Sequence, residues 1–203
     1  MTDEQPKILA ELTYEGADLI HNDLISAAYH IKQRVDAAVA GGDRAGIGLD
    51  VMAAVTMIAF AFEAYLNFVG DKVIANFKER QSGLKKRDAV MKSLGIQWDS
   101  NARPFSTIEQ LFHVRDVMAH GKPRYFKDRW EEIGTHSELE QKLYSYRKGL
   151  EADLTVEFMS NAYDDVEILW RLMLKEGKIR PFDTLDGGVS GITFKAFVEP
   201  GSN

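Results

Sequence analysis

The chain has 203 residues, 45% of them hydrophobic and 28% charged, with a formal net charge of −6 and no cysteine. That length supports one domain with a large core, and the missing thiols exclude disulfides, zinc–thiolate centres and cysteine nucleophiles. The acidic balance argues against broad, non-specific attachment to nucleic acid.

The opening MTDEQPKILAELTYEG lacks the basic start and apolar run of a signal peptide, so a cytoplasmic protein is expected. Helical periodicity dominates the rest of the chain, without repeats or low-complexity tracts. A first helix is predicted over about residues 15–40, closing at Gly41-Gly42, and an apolar helix over about 47–79, closing near Gly83. A shorter helix over about 84–94 stops at Gly95. The expected architecture is all-α: a single helical bundle over residues 1–180, followed by a short irregular or strand-like tail over 181–203.

Within the apolar helix, VMAAVTMIAFAFEAYLNFVG (residues 51–70) invites comparison with a membrane span. Glu63 and Asn67 interrupt it before about 18 uncharged residues accumulate. A central helix surrounded by others is expected instead, with no membrane partner. Its polar side chains, Thr56, Glu63 and Asn67, are spaced by seven and four residues and fall within about 40° of one another, one polar stripe on a buried helix.

Pro104 and the Ser106/Thr107 pair are predicted to open the next helix, with Thr107 a candidate N-cap and Gln110 completing a capping box, and the helix is predicted to end at His120. Gly121 suits a left-handed C-terminal position and Pro123 cannot continue the ladder. On it Ile108, Leu111, Phe112, Arg115, Met118 and Ala119 share an arc of roughly 120°. Arg115 sits near the middle of that apolar arc. A guanidinium facing inward needs a carboxylate, a phosphate or a wet cleft, and Glu63, also on a buried stripe, is the expected neighbour.

A second stripe holds Glu109, His113, Asp116 and His120 at spacings of four, three and four. A His–Asp–His row can hold a divalent metal. A solvated face explains the same residues, no fourth compact ligand accompanies them, and neither metal nor cofactor is expected.

Two basic segments run against the acidic average: KERQSGLKKR (78–87) and KPRYFKDRW (122–130). Solvated loops beside helix ends are the plain reading of both. In the second, aromatic rings alternate with cations, and Lys122, Arg124, Tyr125 and Lys127 form a candidate strip for stacking bases and holding phosphates. A poorly patterned stretch over about 124–136 leads to a helical region from Ser137 to about Lys178, with a break near Gly149. Its later part turns Val156, Met159, Tyr163, Val166, Leu169 and Met173 inward. From Pro181 the tail carries ITFKAFV, an alternating heptamer that reads as a strand. A lone strand needs a partner, so it docks on the domain, pairs with a second copy or stays loose.

Arg115 and His120 are about 140° apart on a regular helix, but the helix stops at His120 and frees its side chain to swing. An arginine and a histidine over one phosphate are a catalytic pair: the arginine steadies the anionic phosphorane and the imidazole moves a proton near neutral pH. The run Arg115-Asp116-Val-Met-Ala-His120-Gly121 resembles the Arg-x4-6-His motif of the HEPN superfamily. Phe62-Glu63-Ala-Tyr65-Leu66-Asn67 is similar to the apolar helix with embedded acid and amide found in HEPN-like bacterial proteins. Arg129 and His136 repeat the spacing without a helix pattern, so the setting discriminates and the motif alone does not.

The resemblance covers about residues 50–125. It implies a HEPN-like helical bundle that dimerises, bringing two motifs to a shared cleft, and a metal-independent endoribonuclease or a non-catalytic binding module. Toxin–antitoxin and phage-defence systems are the implied settings, with RNA, a cognate antitoxin or another protein as partner. Arg115, His120 and Asp116 would be catalytic, with Glu63 and Asn67 in support.

Overall fold

The computed structural model describes residues 7–146 and 148–198. Among these, strand β1 (Ile8–Ala17) precedes helices α1 (Ile20–Ala40), α2 (Ile47–Val73), α3 (Gly83–Leu94), α4 (Phe105–His120), α5 (His136–Ser145), α6 (Leu150–Asp153) and α7 (Val156–Glu176). A 3-10 turn (Pro181–Thr184) and strand β2 (Gly187–Phe197) close the chain. The protein is mostly helical, about 60%, with one small two-stranded antiparallel sheet. By contacts it divides into a helical unit over 20–181 and a ribbon unit made from the residues before and after it. Residues 1–6 of the expected bundle and 199–203 of the expected tail lie outside the described residues.

In the helical unit, α2 is the centre, packed by α1, α3, α4 and α7. Its Val51, Val55, Ile58, Phe62, Leu66 and Val69 are fully enclosed, as expected of a helix with little polar surface. The enclosure is incomplete along one side. Leu49, Met52, Thr56, Phe60, Glu63 and Asn67 lie on a single stripe at about 100° per residue, and Leu49 and Phe60 there are 73% and 42% exposed. Four neighbouring helices cover the remainder of the cylinder and leave this strip partly open.

The helix expected over 47–79 ends at Val73. Ile74 turns extended, its N–H still reaching Gly70 O at 2.9 Å, and Phe77 folds back so closely that a Cβ on Gly70 would meet its ring at 2.5 Å. Burial of one phenyl group thus outweighs another turn of helix. The helix α4 starts two residues before the expected cap. Thr107 is buried within its first turn and no side chain caps it. Arg103, just before the helix, instead grips the buried Asp165 of α7 with Nε and Nη2 at 2.8 and 3.0 Å.

The expected helical region after Ser137 is three helices, broken at Gly149 (φ 60°) and again before the Thr155 cap of α7. Thr135 and Glu138 form a reciprocal capping box for α5, a T-x-x-E signal present in the sequence. On α7, Phe158, Ala162 and Trp170 join the core. Trp170 stacks on Tyr65 at 4.0 Å, and the Tyr65 hydroxyl donates to Glu167 Oε1 at 3.2 Å. Burial, ahead of the Glu167 charge, pushes that hydroxyl far above its ordinary pKa.

In the ribbon unit, the strand expected in the tail finds its partner in the chain's own N-terminal residues, with Ile8 opposite Phe197 and Ala17 opposite Gly187. The first helix accordingly begins at Ile20, since residues 8–17 are taken by β1. The Leu19 N–H donates to Asp186 Oδ1 at 2.6 Å where the strand ends.

Phe62 is fully buried at the centre of α2 and lies 5.8 Å from the Phe112 ring of α4. Phe62→Ala should therefore cost about 3–5 kcal/mol, read as a lowered urea midpoint with an unchanged m-value.

Candidate functional site

The site grows from the contact between α2 and α4. The residues Ile108, Leu111, Phe112 and Val114 seat α4 in the core, and Arg115, one residue after Val114, is carried toward α2. Its guanidinium lies beside Gly83, the first residue of α3, where a Cβ would stand 2.7 Å from the Phe112 ring and 3.0 Å from Arg115 Nη2. Glycine leaves that space open. Arg115 Nη2 donates to Glu63 Oε2 at 3.1 Å, so the two residues are neighbours as expected. Thr56, a further part of the polar stripe, bonds back to Met52 O and faces Met118 Sδ at 3.7 Å.

Glu63 has a second cation that the sequence pattern does not reveal. Lys86 Nζ donates to its other oxygen at 2.8 Å, from a side chain only 5% exposed. The 78–87 segment is therefore not a solvated basic run throughout: Lys86 and Arg87 are both buried on α3. Arg87 binds Glu109 Oε1 at 2.5 Å and stacks on Trp98, whose Nε1 donates to the same carboxylate at 2.9 Å. This draws Glu109 away from the polar stripe of α4. Sequence reasoning missed both buried cations, because Lys86 and Arg87 stand in a basic run that reads as solvated, and only the packing of α3 brings them to Glu63 and Glu109.

The described residues leave two buried polar atoms here without a hydrogen-bond partner, Arg115 Nε and Asn67 Oδ1. Asn67 is thus not joined to Arg115 through its carbonyl. It stands one turn beyond Glu63 and lines a cavity of about 510 Å³ with Asp71, Phe77 and the 78–81 loop.

Asp116 connects the anchor to the other side of α4. Arg115 Nη1 lies 3.0 Å from Asp116 Oδ1, and Asp116 also lines an open cleft of about 490 Å³ with His113, Val117, His120, Lys122 and Arg124. The helix ends at His120 and Gly121 takes the left-handed conformation (φ 47°, ψ 29°), as its position predicts. The structure so brings Asp116, His120, Lys122 and Arg124 to one cleft. Arg115 does not line it and is tied to it through Asp116. Tyr125, 92% exposed, and Lys127 also lie outside its wall. Among the described residues, no group of three or more His, Cys, Asp or Glu side chains is placed to hold a metal ion; His113, Asp116 and His120 share the cleft wall.

Beyond Gly121 the exposed basic-aromatic stretch is braced by contacts within its own excursion. Asp128 accepts from Lys148 Nζ at 2.7 Å and from the Tyr146 hydroxyl at 3.0 Å, while Trp130 packs on Tyr146 at 4.9 Å. The Lys148 and Tyr146 hydrogen bonds hold the Asp128 carboxyl below its ordinary range, and the hydrogen bond to Asp128, ahead of that to Tyr146, raises Lys148. His136 is the first residue of α5, so the second Arg–His spacing ends at a helix start and lacks the setting of the first. A scan against protein-family models and searches of curated proteins and of solved structures found nothing that matches this chain.

The shared carboxylate yields an asymmetric prediction. Glu63→Ala strands the buried Lys86 and leaves Arg115 only its Asp116 contact, and should cost about 2–4 kcal/mol, whereas Lys86→Met keeps the stem's volume and leaves Arg115 paired, costing under about 1.5 kcal/mol; urea unfolding of the two variants measures the gap. The Asp128 brace has a pH sign. A lowered carboxyl contributes fully above its ordinary pKa and is lost as pH falls through the lowered value. Asp128→Asn at neutral pH should reproduce the acid state, seen as faster protease cleavage between 121 and 135 with the bundle intact.

Proposed function

We propose that this chain is a HEPN-like, metal-independent endoribonuclease that works as a homodimer in the cytoplasm, in a toxin–antitoxin or phage-defence setting. The observation that carries the reading is the double engagement of Asp116, which binds Arg115 at 3.0 Å and lines the cleft holding His120, Lys122 and Arg124. The arginine is thereby tied, through the acid, to a cleft that also holds the histidine and two further cations, on an acidic protein.

In the proposed reaction an RNA 2′-hydroxyl attacks the adjacent phosphorus. His120 accepts the hydroxyl proton, the bond from phosphorus to the 5′-oxygen breaks, and His120 of a second copy returns a proton to that oxygen. The products are a 2′,3′-cyclic phosphate and a 5′-hydroxyl. Arg115 stabilises the anionic phosphorane with the Nη1 that Asp116 engages in the free protein, and Glu63 keeps the guanidinium from wandering. Lys122 and Arg124 hold flanking phosphates, while Tyr125 and Lys127 extend that track along the exposed stretch.

A second reading rests on the Glu63–Lys86–Arg115 cluster. In it the arginine is spent on holding α2, α3 and α4 together, and the chain is a non-catalytic HEPN-like module for a nucleotide or protein partner. The two readings separate on one experiment. The ribonuclease should cleave single-stranded RNA in EDTA, and His120→Ala should lower the rate by about 10²–10⁴-fold without changing the melting temperature. RNA left intact at high protein concentration, together with an Arg115→Ala variant that changes only the melting temperature, would establish the binding module instead.

A further inference from the structure

Strands β1 and β2 form a ribbon with two unlike faces. Glu11, Thr13 and Glu15 alternate along one face of β1, where Lys195 closes on Glu11 at 2.5 Å and where Leu9 and Val189, toward opposite ends, are the large apolar side chains. The other face carries Ile8, Leu12 and Tyr14 from β1 with Ile192, Phe194 and Phe197 from β2, each between 48% and 76% exposed.

The arrangement is built by two local devices. A register shift between Leu9 and Ala10 puts Phe197 opposite Ile8 and Phe194 opposite Ala10, so the extra residue brings both rings to one face, 5.1 Å apart. At the other end the Tyr14 ring lies across Gly16 and Gly188, where a Cβ would stand 2.6 and 2.7 Å from its hydroxyl. Glycine on both strands is what lets the ring lie flat.

We infer that this face binds the same face of a second copy of the chain. A two-stranded ribbon is marginal in water unless a further layer covers its apolar side. The face has no charged side chain, which leaves nothing to recognise a phosphate, an acidic segment or a lipid headgroup. An identical face meets it by two-fold symmetry, each residue finding its counterpart across the axis. Stacked about 10 Å apart, the two ribbons make a four-stranded, two-layer core. Three whole aromatic side chains amount to about 150–250 Å² apiece. With the aliphatic residues, and at the exposures observed, the face offers on the order of 600 Å², close to the ~800 Å² each partner gives to a standard interface.

This pairing is argued from the ribbon alone and is tested without RNA; a dimer that joins two His120 clefts, as the ribonuclease reading needs, is told apart because it would survive charge variants on the ribbon. Sedimentation equilibrium of the full chain should show a dimer. Leu12→Glu and Phe194→Glu should each weaken it by on the order of tenfold or more, with the helical circular dichroism unchanged, while Thr13→Glu on the opposite face leaves it intact. The chain has no cysteine, so Leu12→Cys alone should give a disulfide-linked dimer on mild oxidation and Thr13→Cys should not. A chain that stays monomeric at hundreds of micromolar, a dimer indifferent to both charge variants, or a monomer whose ribbon is instead shielded by neutral phosphatidylcholine vesicles would each overturn the proposal.

Discussion

The architecture around the site depends on one carboxylate serving two cations. Glu63 lies on the central helix and takes Arg115 from α4 on one oxygen and Lys86 from α3 on the other. None of the three groups is cheap to remove from water, and each pairwise contact offsets part of another's desolvation. The geometry has little slack. The two cations must approach from opposite oxygens, which sets the positions of α3 and α4 about α2, and Gly83 must be small so that the guanidinium passes. A second, parallel arrangement at Glu109, with Arg87 and Trp98, holds the other end of the α3–α4 contact. The register of three helices is thus set by charge, while the apolar core supplies most of the cohesion.

This explains why α4 has two chemically separate sides. Its inward side commits Arg115 to the core, and its outward side presents His113, Asp116 and His120 to solvent. Asp116 is where the two meet. Any chemistry that uses the arginine must compete with a contact already made to Asp116, and any chemistry that uses the histidine alone can ignore it. A substrate phosphate that replaces Asp116 at Nη1 would exchange one anion for another and leave the Glu63 contact on Nη2 in place, so the arginine can be recruited without undoing the bundle.

Much of the helical layout was legible from periodicity and from glycine. The end of α3 at Gly95, the end of α4 at Gly121 and the break at Gly149 all coincide with left-handed or otherwise positive backbone angles that glycine tolerates. Glu63 and Arg115 were legible because each was a charge on an apolar stripe, and such charges need one another. Lys86 was not, since a lysine among other basic residues reads as solvated, and its burial follows only from how α3 lies on α2. The early end of α2 was hidden for a similar reason: Phe77 continues a helical pattern, and only the tertiary contact with Gly70 shows why it turns back. Strand β1 is not legible by itself, although Ile8, Ala10, Leu12 and Tyr14 alternate. The pattern gains meaning only beside its counterpart in β2, at the far end of the chain.

That distance in sequence governs when the ribbon can exist. The N–H of Val198 bonds the carbonyl of Lys7 at 2.9 Å, so the pairing closes a loop that contains all the helices described above. The helices depend on nearer contacts and can organise as they emerge from the ribosome, but β1 must wait until β2, which follows all of them, has been made. Throughout that interval Ile8, Leu12 and Tyr14 belong to an apolar segment whose partner strand is still to come. Glu11 and Glu15, set between and beside them, keep that segment charged while it waits, which is how natural sequences restrain an exposed strand from joining the wrong neighbour.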